Sequence, residues 1–223
     1  MESKANVSQN QITLVPGVGS SYRHGWRQLW KYFLELFLIF IITIIITSPG
    51  SMGSWSRESY DALDFLGMVY GILISGPLEF GVAFAYLKAA RGDKVEVQDM
   101  FEAFKRYWNA VLASLLVGVI VVIGLVLLIV PGIIFACKLA FTPYLVVDRK
   151  MEAIAAVKES WRMTDGHAME VFLIGLLAIP IAIAGLIALG VGVIISAMWI
   201  ALALASLYHA VSLTSKTSSQ VTT

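Results

Sequence analysis

A single cysteine, Cys137, stands in a chain of 223 residues, so no intrachain disulfide can form and CxxC redox or zinc spacings are absent. Charge is scarce too: Asp, Glu, Lys and Arg make up 14% of the residues, against about 25% in an ordinary globular chain. With 58% apolar residues and a mean hydropathy of +0.81, a soluble single domain is excluded. The net charge of +1 offers no basic surplus, and no nucleic-acid partner is expected. The first 21 residues are polar and lack an apolar core ending in a small-residue cleavage site, so no cleaved signal peptide is expected.

What the chain does contain is long apolar runs. They cover residues 32–48, 63–87, 107–130, 132–147, 169–189 and 191–210, each close to the roughly 20 residues that cross a hydrocarbon core of about 30 Å. The expected fold is therefore an all-α integral membrane protein with six transmembrane helices. The third and fourth runs adjoin at Pro131 and Gly132. One helix through both would measure about 60 Å, twice the bilayer core, so a tight turn at Pro131-Gly132 is expected. Gly190 and Gly192 supply the corresponding break between the fifth and sixth runs.

Orientation follows from the basic residues, because short cytoplasmic loops retain Lys and Arg. Lys4, Arg23, Arg27 and Lys31 precede the first run; Lys88, Arg91, Lys94, Lys105 and Arg106 follow the second; Arg149, Lys150, Lys158 and Arg162 follow the fourth; Lys216 follows the sixth. Only Arg57 and Lys138 fall elsewhere. Both termini are expected in the cytoplasm, with the chain integral to the cytoplasmic (inner) membrane. Polar tails at 1–21 and 212–223 would then flank a membrane domain at 22–211.

Three stretches, 22–92, 99–150 and 151–211, resemble one another as helical hairpins, each led by an amphipathic interfacial helix. In the first lead, Tyr22, Trp26, Leu29, Trp30 and Phe33 share helical spacing, while Arg23, Arg27 and Lys31 recur every four residues on another face. Met100, Phe101, Phe104, Tyr107 and Trp108 repeat the pattern beside Lys105 and Arg106. Ile154, Val157 and Trp161 do so more weakly with Lys158 and Arg162. Aromatic rings favour the membrane interface and basic side chains favour anionic headgroups. Trp26, Arg27, Trp30, Phe104, Lys105, Arg106, Trp161 and Arg162 are thus the candidate lipid-contact residues, with an ordinary aromatic belt and positive-inside anchoring as the plainer alternative.

Charges within apolar runs are the other candidates, since each is costly in hydrocarbon. Glu79 and Lys138 lie at similar depths in the second and fourth runs, which allows an interhelical ion pair; a snorkelling Lys138 and a substrate or proton site are the alternatives. Glu35 lies one turn from Lys31, as an interfacial i,i+4 pair would place it. His24, His167 and His209 have no metal-ligand spacing, so neither metal nor cofactor is expected. Asp93, Glu96, Asp99 and Glu102 read as a solvated cluster at a helix start. Small residues recur every four positions at Gly67, Gly71 and Ser75, at Ala110, Ser114 and Gly118, and at Ala197, Ala201 and Ala205. Such stripes suit close helix packing in a compact bundle or dimer.

The segments Leu128 to Ile133 (LIVPGI), Val147-Asp148-Arg149-Lys150, Ala156, Ser160-Trp161-Arg162 and Thr164 to Gly166, together with Gly76-Pro77-Leu78-Glu79 and Leu87 to Gly92, carry a resemblance. The chain resembles a prokaryotic group of six-span membrane proteins without assigned activity that includes the YciC-like proteins. It is also similar to the membrane domain fused to some glycerophosphoryl diester phosphodiesterases. The resemblance runs from about residue 25 to residue 208 and implies a fold rather than a reaction, because no phosphodiesterase catalytic domain is present in these residues. The expected function is non-enzymatic: binding membrane lipids, anionic ones included, or scaffolding another membrane protein, with a homo-oligomer as a further arrangement. A small-molecule or ion transporter or channel using Glu79 and Lys138 is the alternative.

Overall fold

The computed structural model describes residues 16–51, 69–187 and 191–221, and these are helical with no strand among them. The helices are α1 (Val18–Lys31), α2 (Phe33–Ser51), α3 (Gly76–Arg91), α4 (Tyr107–Leu127), α5 (Ile129–Leu139), α6 (Thr142–Val147), α7 (Ala153–Met163), α8 (Ala168–Ile187) and α9 (Val191–Val221). A π turn at Gly71–Ser75 leads into α3, where Pro77 has no N–H to give the preceding turn. A 3-10 segment at Val97–Arg106 runs directly into α4.

Among the described residues, four helical stretches are long and apolar enough to cross a membrane: Val97–Leu127, Ile129–Val147, Ala168–Ile187 and Gly192–Thr214. A fifth is added if α1 and α2, bent by 92° at Tyr32, count as one span. The apolar run expected at 63–87 begins outside the described residues. α4 and α8 turn much of their apolar surface outward, with Val126 82% and Ile187 78% exposed. Contiguous apolar exposure on that scale suits a lipid surround and not water.

The core lies where α9 crosses α1, α3 and α8. Leu29, Leu36, Leu78, Leu87, Met198, Leu202 and Tyr208 are fully buried there. Close backbone approaches fix this packing, but the glycines that permit them are mostly not those of the expected stripes. A Cβ on Gly81 would overlap the backbone carbonyl of Met100, and one on Gly25 would lie 3.1 Å from the Ala203 nitrogen. Gly71 and Gly118 have nothing close, whereas Ser114 does meet Gly76, and Ala110 and Ala205 are buried. Gly67 lies outside the described residues.

The turn between the third and fourth runs differs from expectation. The chain breaks at Leu128, whose φ of −168° and ψ of 149° are extended, and Pro131 and Gly132 sit in the first turn of α5. A helix tolerates proline there because that turn's N–H groups have no intrahelical partner. Gly132 instead serves close packing: a Cβ on Gly124 would come within 2.9 Å of its Cα. At the other end, α9 continues to Val221 through the segment expected as a polar tail, and α1 begins at Val18, inside the expected N-terminal tail. Ser212 and Thr214 sustain the helix by bonding back to the His209 and Ala210 carbonyls.

Candidate functional site at the charged end

Four chain segments end in polar residues that meet at one end of the bundle. α3 closes at Gly92, where φ is +82°; the Gly92 and Asp93 N–H groups donate to the Ala89 and Lys88 carbonyls, an arrangement that glycine adopts without a Cβ penalty. Arg91 is thereby set against Asp148, just past α6, with two guanidinium–carboxylate bonds of 2.5 and 2.6 Å. Burial works against the Arg91 charge, but the hydrogen bonds and field of Asp148 outweigh it and hold the guanidinium above its ordinary value. The Tyr208 hydroxyl approaches Asp148 at 3.3 Å, and its ring stacks on Tyr144 at 4.8 Å.

Around this pair, Lys88 bridges to Asp99 at 2.8 Å. Asp99 also accepts the Glu96 N–H as a cap of the 3-10 segment, so one member of the expected solvated cluster is a half-buried tie between elements. Arg106 donates to the Lys150 carbonyl. α1 docks on the same end: His24 lies 2.7 Å from the Ala90 carbonyl, and the Tyr32 hydroxyl donates to the Gly92 carbonyl at 2.6 Å.

The expected pair of Glu79 with Lys138 is replaced by a different one. Lys138 ion-pairs with Asp165 and lies 5.4 Å above the Trp161 ring. The reason is the break after α5. Pro143 has no N–H for the Leu139 carbonyl, so the run stops and restarts as α6. The Lys138 carbonyl is bonded instead by the Ser160 and Thr164 hydroxyls, at 2.8 and 3.1 Å, and Ser160 also receives the Phe141 N–H. These bonds bring α7 and the Thr164–His167 turn to the level of Lys138. Glu79 is exposed on α3 and has no ion pair among the described residues. Glu79→Gln and Lys138→Met are therefore expected to change thermal stability additively, within about 0.5 kcal/mol, when measured as a double-mutant cycle in detergent. Recovery of stability in the double variant would show that the two side chains do meet.

The candidate lipid-contact residues divide between the protein and its surroundings. Tyr22 and Leu29 are buried against α9, while Trp26 and Trp30 are 39% and 55% exposed. Trp26 packs edge-on to Trp199 at 4.8 Å and to Trp30 at 5.7 Å, and the series continues through Phe33 and Phe37. Trp199, whose indole donates to the Tyr22 carbonyl, was not among the expected site residues; its sign in the sequence is a lone tryptophan inside an apolar run. Phe104 is half-buried between Phe101 and Tyr107, and Trp108 beside them is 70% exposed. Trp161 leans on Phe135.

Among the basic members, Arg27 is exposed with no ion pair among the described residues, Lys105 pairs with Glu102 at 2.6 Å, and Arg162 forks Glu159 at 2.9 and 2.8 Å. That fork holds the Glu159 carboxyl below its ordinary value. Of the histidines, His24 bonds α3, His167 lies 3.8 Å from Glu170, and His209 lines a cleft beside Arg91. In comparison with known proteins, the chain matches no family model, no curated protein and no solved structure.

Proposed function

We propose that this chain is a non-enzymatic membrane protein that binds anionic lipid, or supports another membrane protein, at the cytoplasmic face of the bilayer. The full reading has six spans arranged as three hairpins with interfacial leads, both termini cytoplasmic, and the fold of the YciC-like group. One observation carries the functional part: exposed Trp26, Trp30, Trp108 and Trp161 accompany Arg27, Lys105, Arg106 and Arg162 on the three leads. Indole rings settle at the headgroup level, and each Lys or Arg near an anionic surface contributes about 1 kcal/mol of attraction.

Extraction with native lipid followed by phospholipid quantification tests this. The lipid retained should be richer in anionic species than the source membrane, and a composition equal to the source would contradict the proposal. A transporter or channel using Glu79 and Lys138 is the second reading, favoured by the exposed carboxylate of Glu79, which has no ion pair among the described residues. It requires flux in proteoliposomes that Glu79→Gln abolishes.

A further inference from the structure

A cleft of about 460 Å³ opens beside the Arg91–Asp148 pair, lined by Arg91, Asp148, Arg149, His209, Ser212 and Leu213. Its volume falls in the range of small-molecule sites, roughly 300–1,000 Å³. Two of these lining residues carry a nitrogen buried beneath the cleft's surface, Nη2 of Arg149 and Nδ1 of His209, that has no hydrogen-bond partner among the described residues. Arg149 is also poorly neutralised. Its contact with Glu159 is 3.4 Å long, and Glu159 is held more tightly by Arg162. Asp148 does not fill the gap, because both of its oxygens already serve Arg91 and one is shared with Tyr208. Asp93, the other carboxylate nearby, is exposed and screened by water. A buried polar group left without a partner is costly, so two of them on one polar cleft mark a place for an acceptor.

We propose that this cleft binds a phosphoryl group, with Arg149 and His209 as its hydrogen-bond donors and the Asp148 carboxylate beside them neutralised by Arg91. A phosphoryl group offers several anionic oxygens. It can accept from a guanidinium and from an imidazole in its Nδ1–H or imidazolium form at the same time. The group belongs either to a free phosphate compound or to a lipid headgroup, and the shared chemistry is the same. This goes beyond the aromatic and basic face proposed above, whose residues are different except that Arg162 holds Glu159 away from Arg149.

The test uses the full chain in maltoside micelles, which carry no phosphate, titrated calorimetrically with inorganic phosphate, with soluble dihexanoyl phosphatidylglycerol and with acetate. Inorganic phosphate has no acyl chain for the aromatic and basic face, and lipid binding counts for the cleft only where Arg149→Gln or His209→Gln weakens it, so this proposal and that one fail separately. Saturable binding of phosphate alone assigns a free phosphate compound, and tighter binding of the short-chain lipid assigns a headgroup. In either case Arg149→Gln and His209→Gln should each weaken binding about tenfold or more. Should Arg149→Gln fail to fold, His209→Gln carries the comparison, since its Nδ1 bonds nothing else among the described residues. No binding of either phosphoryl probe, acetate binding as tightly as phosphate, or wild-type affinity in folded variants would overturn the assignment.

Discussion

Replacing Gly81 with Val should lower stability in detergent by about 3 kcal/mol or prevent a folded protein from accumulating. Overpacking commonly costs 1–3 kcal/mol, and this site falls at the upper end because a new Cβ meets backbone, not a side chain able to turn aside. The clash is with the Met100 carbonyl, its carbonyl carbon being only 2.6 Å from the ideal Cβ position. Moving it would drag the 3-10 segment off α3 and with it the Lys88–Asp99 bridge. Gly118→Val on α4 is the control, since nothing lies within 4 Å of its Cβ position. Melting curves of the two variants measure the difference, and equal losses would place the 3-10 segment elsewhere.

The second large effect is expected at Asp148. Asp148→Leu strands the Arg91 guanidinium in a site where the side chain is only 26% exposed, and breaking such a pair costs about 3 kcal/mol. Arg91→Met added to it should recover most of the loss, because two apolar side chains then face each other with no charge left unpaired. Chemical denaturation of the two single variants and the double measures this. Additive losses would mean that Arg91 and Asp148 act on separate partners.

The sequence shows the elements better than it shows their meetings. Apolar runs and a positive-charge bias are local signals, and the four stretches that pass as spans lie within the runs or extend them. The first lead illustrates what is lost. Tyr22, Trp26, Leu29 and Trp30 share one helical stripe, yet α9 buries Tyr22 and Leu29, meets Trp26 only at the edge of Trp199 and leaves Trp30 outside, a division made by a helix about 170 residues away. Lys138 illustrates a different gap. Depth counted along a continuous span matches it to Glu79, but Pro143 ends that helix early and brings Asp165 alongside instead. Arg91 and Asp148 are each visible as a charge closing an apolar run; that they face each other depends on how α3 and α6 pack. The orphan nitrogens of Arg149 and His209 leave no trace in a sequence at all, because being unpartnered is a property of the assembled surroundings.

Substituting Arg27, Lys105, Arg106 and Arg162 together by Gln is the most direct trial of the lipid-binding account. Four charges contributing about 1 kcal/mol each are worth a large factor in lipid preference, while the exposed side chains are not needed for the core. Wild-type and variant protein are extracted in parallel, checked for equal melting temperature, and the phospholipids retained by each are quantified by mass spectrometry. Anionic lipid enriched around the wild type and reduced to the source composition around the variant is the predicted result. Undiminished enrichment around a folded variant would contradict it.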